Sequence, residues 1–66
     1  MYRNLKAEMK RRGITYSEVS ELIGKTPDAI QKNINGVGGD FRITEALVIR
    51  RYFFPKLDME YLFKKE

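Results

Sequence analysis

The side chains that most often carry out catalysis are scarce in this sequence. It contains no His and no Cys, so the commonest general base, the thiol nucleophile and two frequent metal ligands are missing. The nine Asp and Glu residues are scattered, and the glycine-rich stretch 36–39 lacks the Lys and Ser or Thr of a phosphate-binding loop. We therefore expect no enzyme activity, no catalytic residue, no metal and no cofactor.

The charges are distributed unevenly. Thirteen Lys and Arg outnumber nine Asp and Glu. Residues 1–12 hold five of these cations and only one carboxylate. A basic segment of this kind can attract a polyanion. A solvated helix face explains the same charges, so composition leaves both interpretations open.

The length of 66 residues predicts a single domain, residues 1–66. Because cysteine is absent, packing alone must stabilise it. No apolar run approaches the roughly 20 residues that cross a bilayer, and no apolar signal core follows the first residues. We expect a soluble, cytoplasmic protein that does not enter a membrane.

Start and stop signals predict five short helices, of which the first two are the clearest. Apolar residues recur at helical spacing in the first one, at Tyr2, Leu5 and Met9. Gly13 ends that helix. Thr15 and Glu18 form a capping box at the start of the second, which Gly24 ends.

The third helix is predicted from Pro27 to Asn35. Thr26 caps it, and the proline occupies the first position, where its missing N–H costs nothing. Ile30 and Ile34 face inward.

The last two helices have start signals of the same kind. Thr44 is the predicted cap of the fourth, with Ile43 and Val48 as a hydrophobic staple and Pro55 as the stop. Asp58 is the predicted cap of the fifth.

The stretch from Thr15 to Gly36, TYSEVSELIGKTPDAIQKNING, consists of two predicted helices joined by a tight turn. It resembles the helix-turn-helix of the Cro and lambda-type repressor family of phage and bacterial regulators. The matching positions are Val19, Ser20, Ile23, Gly24, Thr26, Ile30 and the closing Asn35-Gly36. The resemblance extends loosely over nearly the whole chain and implies an all-α fold, a small bundle of five helices.

Four positions depart from the family's pattern. The family commonly has Gln at Tyr16, an aliphatic residue at Lys25 and a base-reaching polar side chain at Pro27. Many members place an apolar residue at Asn33, a role that Ile34 beside it can take. The fold that the resemblance implies is unaffected, but no known base-reading pattern can be transferred.

In the family the second helix of the motif lies in the major groove. On that resemblance the base-reading residues are Thr26, Asp28, Gln31 and Lys32, and the phosphate contacts are Tyr16, Lys25, Asn35 and Arg42. Four of these residues have a plainer alternative. Asp28 fits stabilisation of the helix start better than base reading, Gln31 and Lys32 fit an ordinary polar face, and Tyr16 fits the edge of the core.

Aromatic residues are concentrated after the motif. Tyr52, Phe53 and Phe54 are consecutive and cannot all face one core. Family members dimerise through a surface of this kind, which matches palindromic DNA sites. The resemblance therefore implies a dimer interface at Phe53, Phe54, Tyr61 and Phe63. The alternative is that a thin core encloses these rings.

The resemblance implies a transcriptional regulator of phage or mobile-element origin. It would bind operator sites in double-stranded DNA as a homodimer and associate with the nucleoid, with no small-molecule ligand. The alternative is a protein-interaction module of the same fold, an antitoxin or anti-regulator with little DNA binding.

Overall fold

Five α-helices and no strand make up the protein in the computed structural model, which describes residues 1–66. They are α1 (Arg3–Arg12), α2 (Tyr16–Ile23), α3 (Pro27–Asn35), α4 (Ile43–Phe53) and α5 (Met59–Leu62). Helices account for 64% of the residues. The predicted all-α bundle of five helices is confirmed.

Local signals set the ends of the first three helices, as the sequence predicts. Gly13, Gly24 and Gly36 follow them in the left-handed conformation, with φ of 67°, 72° and 72°, which a Cβ would oppose. The side chain of Thr15 accepts a hydrogen bond from the Glu18 N–H, and the Glu18 carboxylate accepts one from the Thr15 N–H. This is the predicted capping box.

The start of α4 differs from the prediction. The helix begins at Ile43 with Arg42 in the N-cap position, so Thr44 is not its cap. The Glu45 carboxylate accepts the Arg42 backbone N–H at 2.8 Å, which satisfies one of the unpaired donors at the helix start. Ile43 is 79% exposed and so forms no staple with Val48. The fourth helix does end before Pro55, as predicted, because its last residue is Phe53.

Nine buried apolar side chains form one core that every helix or its flanking residues supply. They are Tyr2, Leu5, Met9, Val19, Ile30, Ile34, Ile49, Phe54 and Leu62. Phe54 lies just beyond α4 and is completely buried, with the Arg12 guanidinium 5.0 Å from its ring centre. Its backbone turns the ring inward, so the predicted dimer contact at Phe54 is wrong.

Each helix packs against two others. α2 packs against α3 and α4, α1 packs against α3 and α5, and α4 also packs against α5. The Cα atoms extend over 26 × 24 × 22 Å. None of the five helices is both long and apolar enough to cross a bilayer.

Candidate nucleic-acid interface

The turn between α2 and α3 is closed by side chains on both sides. The Ser20 hydroxyl donates to the Lys25 carbonyl, and the Thr26 hydroxyl accepts the Ala29 N–H at 3.1 Å. The side chains of Ile30 and Ile34, on the inner face of α3, are fully buried. The helix is therefore held by one face while the other is open to solvent.

The open side of α3 carries Asp28, Gln31 and Lys32, which we call the α3 face. All three are exposed, as is Thr26 at the helix start, so the four predicted base-reading residues lie together. The Lys32 ammonium is paired with the Asp28 carboxylate at 3.2 Å, and both side chains are mostly exposed. The side-chain amide of Gln31 forms no hydrogen bond within the protein. This side-chain group is therefore free to bind a ligand.

The four predicted phosphate contacts lie in different environments. Arg42 is exposed and forms no ion pair. Tyr16 is half-buried against the core, so it lies at the edge of the core, as its alternative interpretation predicts. Asn35 is half-buried, with its Oδ1 3.4 Å from the Lys6 ammonium. Lys25 differs from the others because its ammonium is turned inward.

Lys25 is the centre of a polar cluster beneath the turn. Its ammonium lies 2.9 Å from the Glu45 carboxylate and 2.6 Å from the Asn33 Oδ1, and 5.3 Å from the centre of the Phe41 ring. Asn33 is buried, and its amide group donates to the Gly38 carbonyl at 3.4 Å. Two of the departures from the family's pattern, Lys25 and Asn33, are thus partners. The sequence does not reveal this pairing, because no local spacing connects a turn residue with Glu45.

The electrostatics of Glu45 follow from this cluster. Burial by itself raises the pKa of a carboxyl group, but hydrogen bonds from the Arg42 N–H and the Lys25 ammonium outweigh it and hold the Glu45 pKa below its ordinary value. The carboxylate stays ionised and keeps the Lys25 charge neutralised. Lys25 is therefore not a free cation for phosphate while the cluster is intact.

Further cations lie on α1. Arg3, Lys6 and Lys10, which we call the α1 row, are exposed, and none forms an ion pair. The one carboxylate of this helix, Glu8, is buried. Arg11 at 2.9 Å and the Tyr61 hydroxyl at 2.8 Å bind it. The helical spacing of the row is a signal that was present in the sequence.

The remaining predicted dimer residues are largely occupied within the monomer. Phe53 and Phe63 are half-buried, and the Phe63 ring centre lies 5.6 Å from that of Tyr2 and 5.9 Å from that of Phe41. Tyr61 is 39% exposed, with its hydroxyl on Glu8. The alternative interpretation was that the core encloses these rings. The core encloses the Phe54 ring completely and the rings of Phe53 and Phe63 in part.

Four of the six exposed large apolar side chains lie on α4 instead. We call them the α4 surface: Ile43, Leu47, Val48 and Tyr52. A shallow groove joins Val48 and Tyr52 to Leu22 of α2. Helical spacing puts them on the side of α4 opposite the buried Ala46 and Ile49.

A comparison of the chain with protein-family models, characterised proteins and solved structures found no match. No three His, Cys, Asp or Glu side chains gather where they could hold a metal ion. The features with the clearest potential for binding are thus the α3 face, the α1 row and the α4 surface.

Proposed function

We propose that this protein is a sequence-specific DNA-binding regulator of transcription that places α3 in the major groove of an operator. The observation that carries the proposal is Gln31, whose free amide projects from the middle of the exposed face of a firmly anchored helix. Such an amide can bind adenine through both N6 and N7. The resemblance to phage and bacterial repressors supports the same function in the nucleoid.

The neighbours of Gln31 have complementary abilities. Lys32 can donate to guanine and Asp28 can accept from the cytosine amino group. These two side chains form an ion pair with each other, so that pair must open before either contacts a base. Thr26 stands at the end of the helix that points into the groove. In this proposal Arg42, Asn35 and Tyr16 would contact phosphates, which position the protein without reading sequence.

The proposed DNA-bound form is a dimer that meets through the α4 surface. Two-fold symmetry requires recognition helices about 34 Å apart, one turn of DNA. The Cα atoms extend over 22–26 Å, and α2 packs against both α3 and α4. A dimer that meets through α4 would not need to cover α3, so a separation greater than one domain width is compatible with this arrangement. The face itself is apolar, and burying it is favourable.

Sedimentation of the protein at micromolar concentration tests the dimer. The parent should sediment as a dimer and Leu47→Asp as a monomer, because the substitution places a charge in the α4 surface, which the dimer would bury. Val37→Asp is the matched control, since Val37 is exposed but lies outside α4. A monomeric parent, or a Leu47→Asp variant that still dimerises, would refute this arrangement.

Selection from a random pool of duplexes, followed by binding measurements, tests the DNA function. The parent should enrich a defined sequence. Gln31→Ala should lose about 1 to 3 kcal/mol on that sequence and much less on random duplex, because only base contacts discriminate. If nothing is enriched, or if Gln31→Ala keeps the parent's preference, α3 does not read bases as proposed.

A protein-interaction module, an antitoxin or anti-regulator, is the second candidate. The observation that favours it is the α4 surface, because an exposed apolar face can equally bind a different protein. Failure of the parent to bind duplex DNA at low salt, together with a monomeric state, would make this the better function.

A further inference from the structure

We propose that the α1 row is a main binding surface for the DNA backbone, so that attraction to DNA comes from α1 while α3 discriminates between sequences. The proposal rests on the DNA-binding function above. It assigns Arg3, Lys6 and Lys10 to contacts with phosphates along one strand.

The motif itself has little charge to offer a polyanion. Residues 15–36 contain two Lys against three Asp and Glu. Asp28 neutralises one of those lysines at 3.2 Å and Glu45 neutralises the other at 2.9 Å. Since phosphate contacts provide most of the affinity for DNA in general, the cations must come from outside the helix-turn-helix.

The α1 row supplies three such cations on one face. Arg3, Lys6 and Lys10 follow one another at intervals of three and four residues, which places them along one side of a helix. Their side chains are exposed and lack a carboxylate partner. The one carboxylate of α1, Glu8, is buried, so no exposed carboxylate of this helix offsets the row.

The row is continuous with the proposed interface at two points. The Lys6 ammonium reaches the Asn35 Oδ1 at the end of α3, at 3.4 Å. Lys6 and Lys10 also border a concave surface that extends to Thr15 and Tyr16 at the start of α2. A DNA strand that passes α3 can therefore run along the same side of the protein as the α1 row.

The other two cations of α1 are used internally. Arg11 and Arg12 point to the buried Glu8, and Arg12 also lies over the Phe54 ring. The structure thus divides five basic residues into two that hold the fold together and three that remain available.

The test is the salt dependence of binding to a random duplex, measured for the parent and for the triple variant Arg3→Gln, Lys6→Gln, Lys10→Gln. Removing one cation that binds a phosphate should lower the slope of log K against log salt concentration by about 0.9. The slope of the triple variant should therefore be smaller than that of the parent by about 3. Lys56→Gln is the matched control, because Lys56 is exposed, unpaired and follows the end of α4. Circular dichroism verifies that each variant is folded.

The possible outcomes separate this proposal from the proposed function. A smaller slope in the triple variant but not in Lys56→Gln supports the α1 row, and the ratio of specific to random affinity should stay at the parent's value. A parent that binds DNA with a slope unchanged in the triple variant overturns the α1 row and leaves the DNA function intact. A parent that binds no DNA overturns both. Binding to anionic phospholipid vesicles that needs these three residues, with an unchanged DNA slope, would assign the row to a membrane surface and also overturn the proposal.

Discussion

The α3 face and the α1 row differ in what they offer a ligand. The α3 face presents an amide, a carboxylate and an ammonium, of which the two charged groups neutralise each other at 3.2 Å. The α1 row presents three cations without a carboxylate partner. One surface is thus rich in hydrogen-bonding groups and poor in charge, and the other is the reverse.

On the proposed function, this difference assigns sequence discrimination and electrostatic attraction to separate helices of one small domain. Base edges are distinguished by the pattern of donors and acceptors, whereas phosphates respond chiefly to positive charge. Substitutions in the two regions should therefore change different quantities, the sequence preference in one and the salt dependence in the other.

The largest effect is expected where the α3 face loses its support. Ile30 is completely buried beneath α3, so Ile30→Ala should lower the free energy of unfolding by about 2 to 5 kcal/mol. Val37→Ala is the matched control, because Val37 is 75% exposed and lies outside the α4 surface, and its effect should stay within about 0.5 kcal/mol. Urea denaturation measures both. Equal stability of the two variants would show that α3 is not anchored as described.

The next effect concerns the polar cluster under the turn. Lys25→Met and Asn33→Leu should each cost about 1 to 3 kcal/mol of stability. Lys25→Met leaves the buried Asn33 Oδ1 without its donor, and Asn33→Leu removes a hydrogen bond to the half-buried Lys25 ammonium. The double variant should cost less than the two together, with a coupling energy of about 0.5 to 3 kcal/mol. Costs that simply add would mean that the hydrogen bond between Lys25 and Asn33, 2.6 Å long, contributes nothing.

A smaller change should make the α3 face resemble the α1 row. Asp28→Asn removes the carboxylate that pairs with Lys32, so random duplex should bind more tightly and the salt slope should rise by up to about 0.9. Glu60→Gln, the same change of charge at an exposed residue of α5, is the control. Weaker binding of Asp28→Asn to random duplex would be inconsistent with a neutralising role for Asp28.

The smallest effect is a dependence on pH. The Glu45 pKa is lowered in the folded protein from an ordinary value of 4.5. The carboxylate therefore contributes stability above that value, and the contribution disappears as the pH falls through the lowered pKa. The unfolding free energy of the parent should drop more between pH 7 and pH 3 than that of Glu45→Gln. Parallel pH profiles would exclude this contribution.

The sequence predicted the helix-turn-helix well because its boundaries depend on neighbouring residues. Thr15 and Glu18 cap each other across three positions, and Gly24 and Gly36 adopt the conformation that few other residues tolerate. The predicted start of α4 is two residues too late, because the cap is Arg42 and not Thr44. Glu45, three positions after Arg42, was the overlooked signal, since its carboxylate can bind the backbone N–H there.

Interactions between distant parts of the chain explain the other differences. Phe54 is buried under Arg12, and Tyr61 binds Glu8 across 53 positions. No local pattern specifies such pairs, so the aromatic residues were predicted as an exposed cluster. The exposed α4 surface went unrecognised for the same reason, because the burial of one side of α4 depends on α2 and α5.

The most direct measurement of the central claim is a nuclear magnetic resonance titration of the protein with the selected duplex at low salt. If α3 enters the major groove, the largest amide shifts should occur on the α3 face, including the Gln31 side-chain amide, with smaller shifts along the α1 row. A titration in which Gln31 and Lys32 remain unperturbed, or in which the shifts are confined to the α4 surface, would contradict the placement of α3 in the major groove.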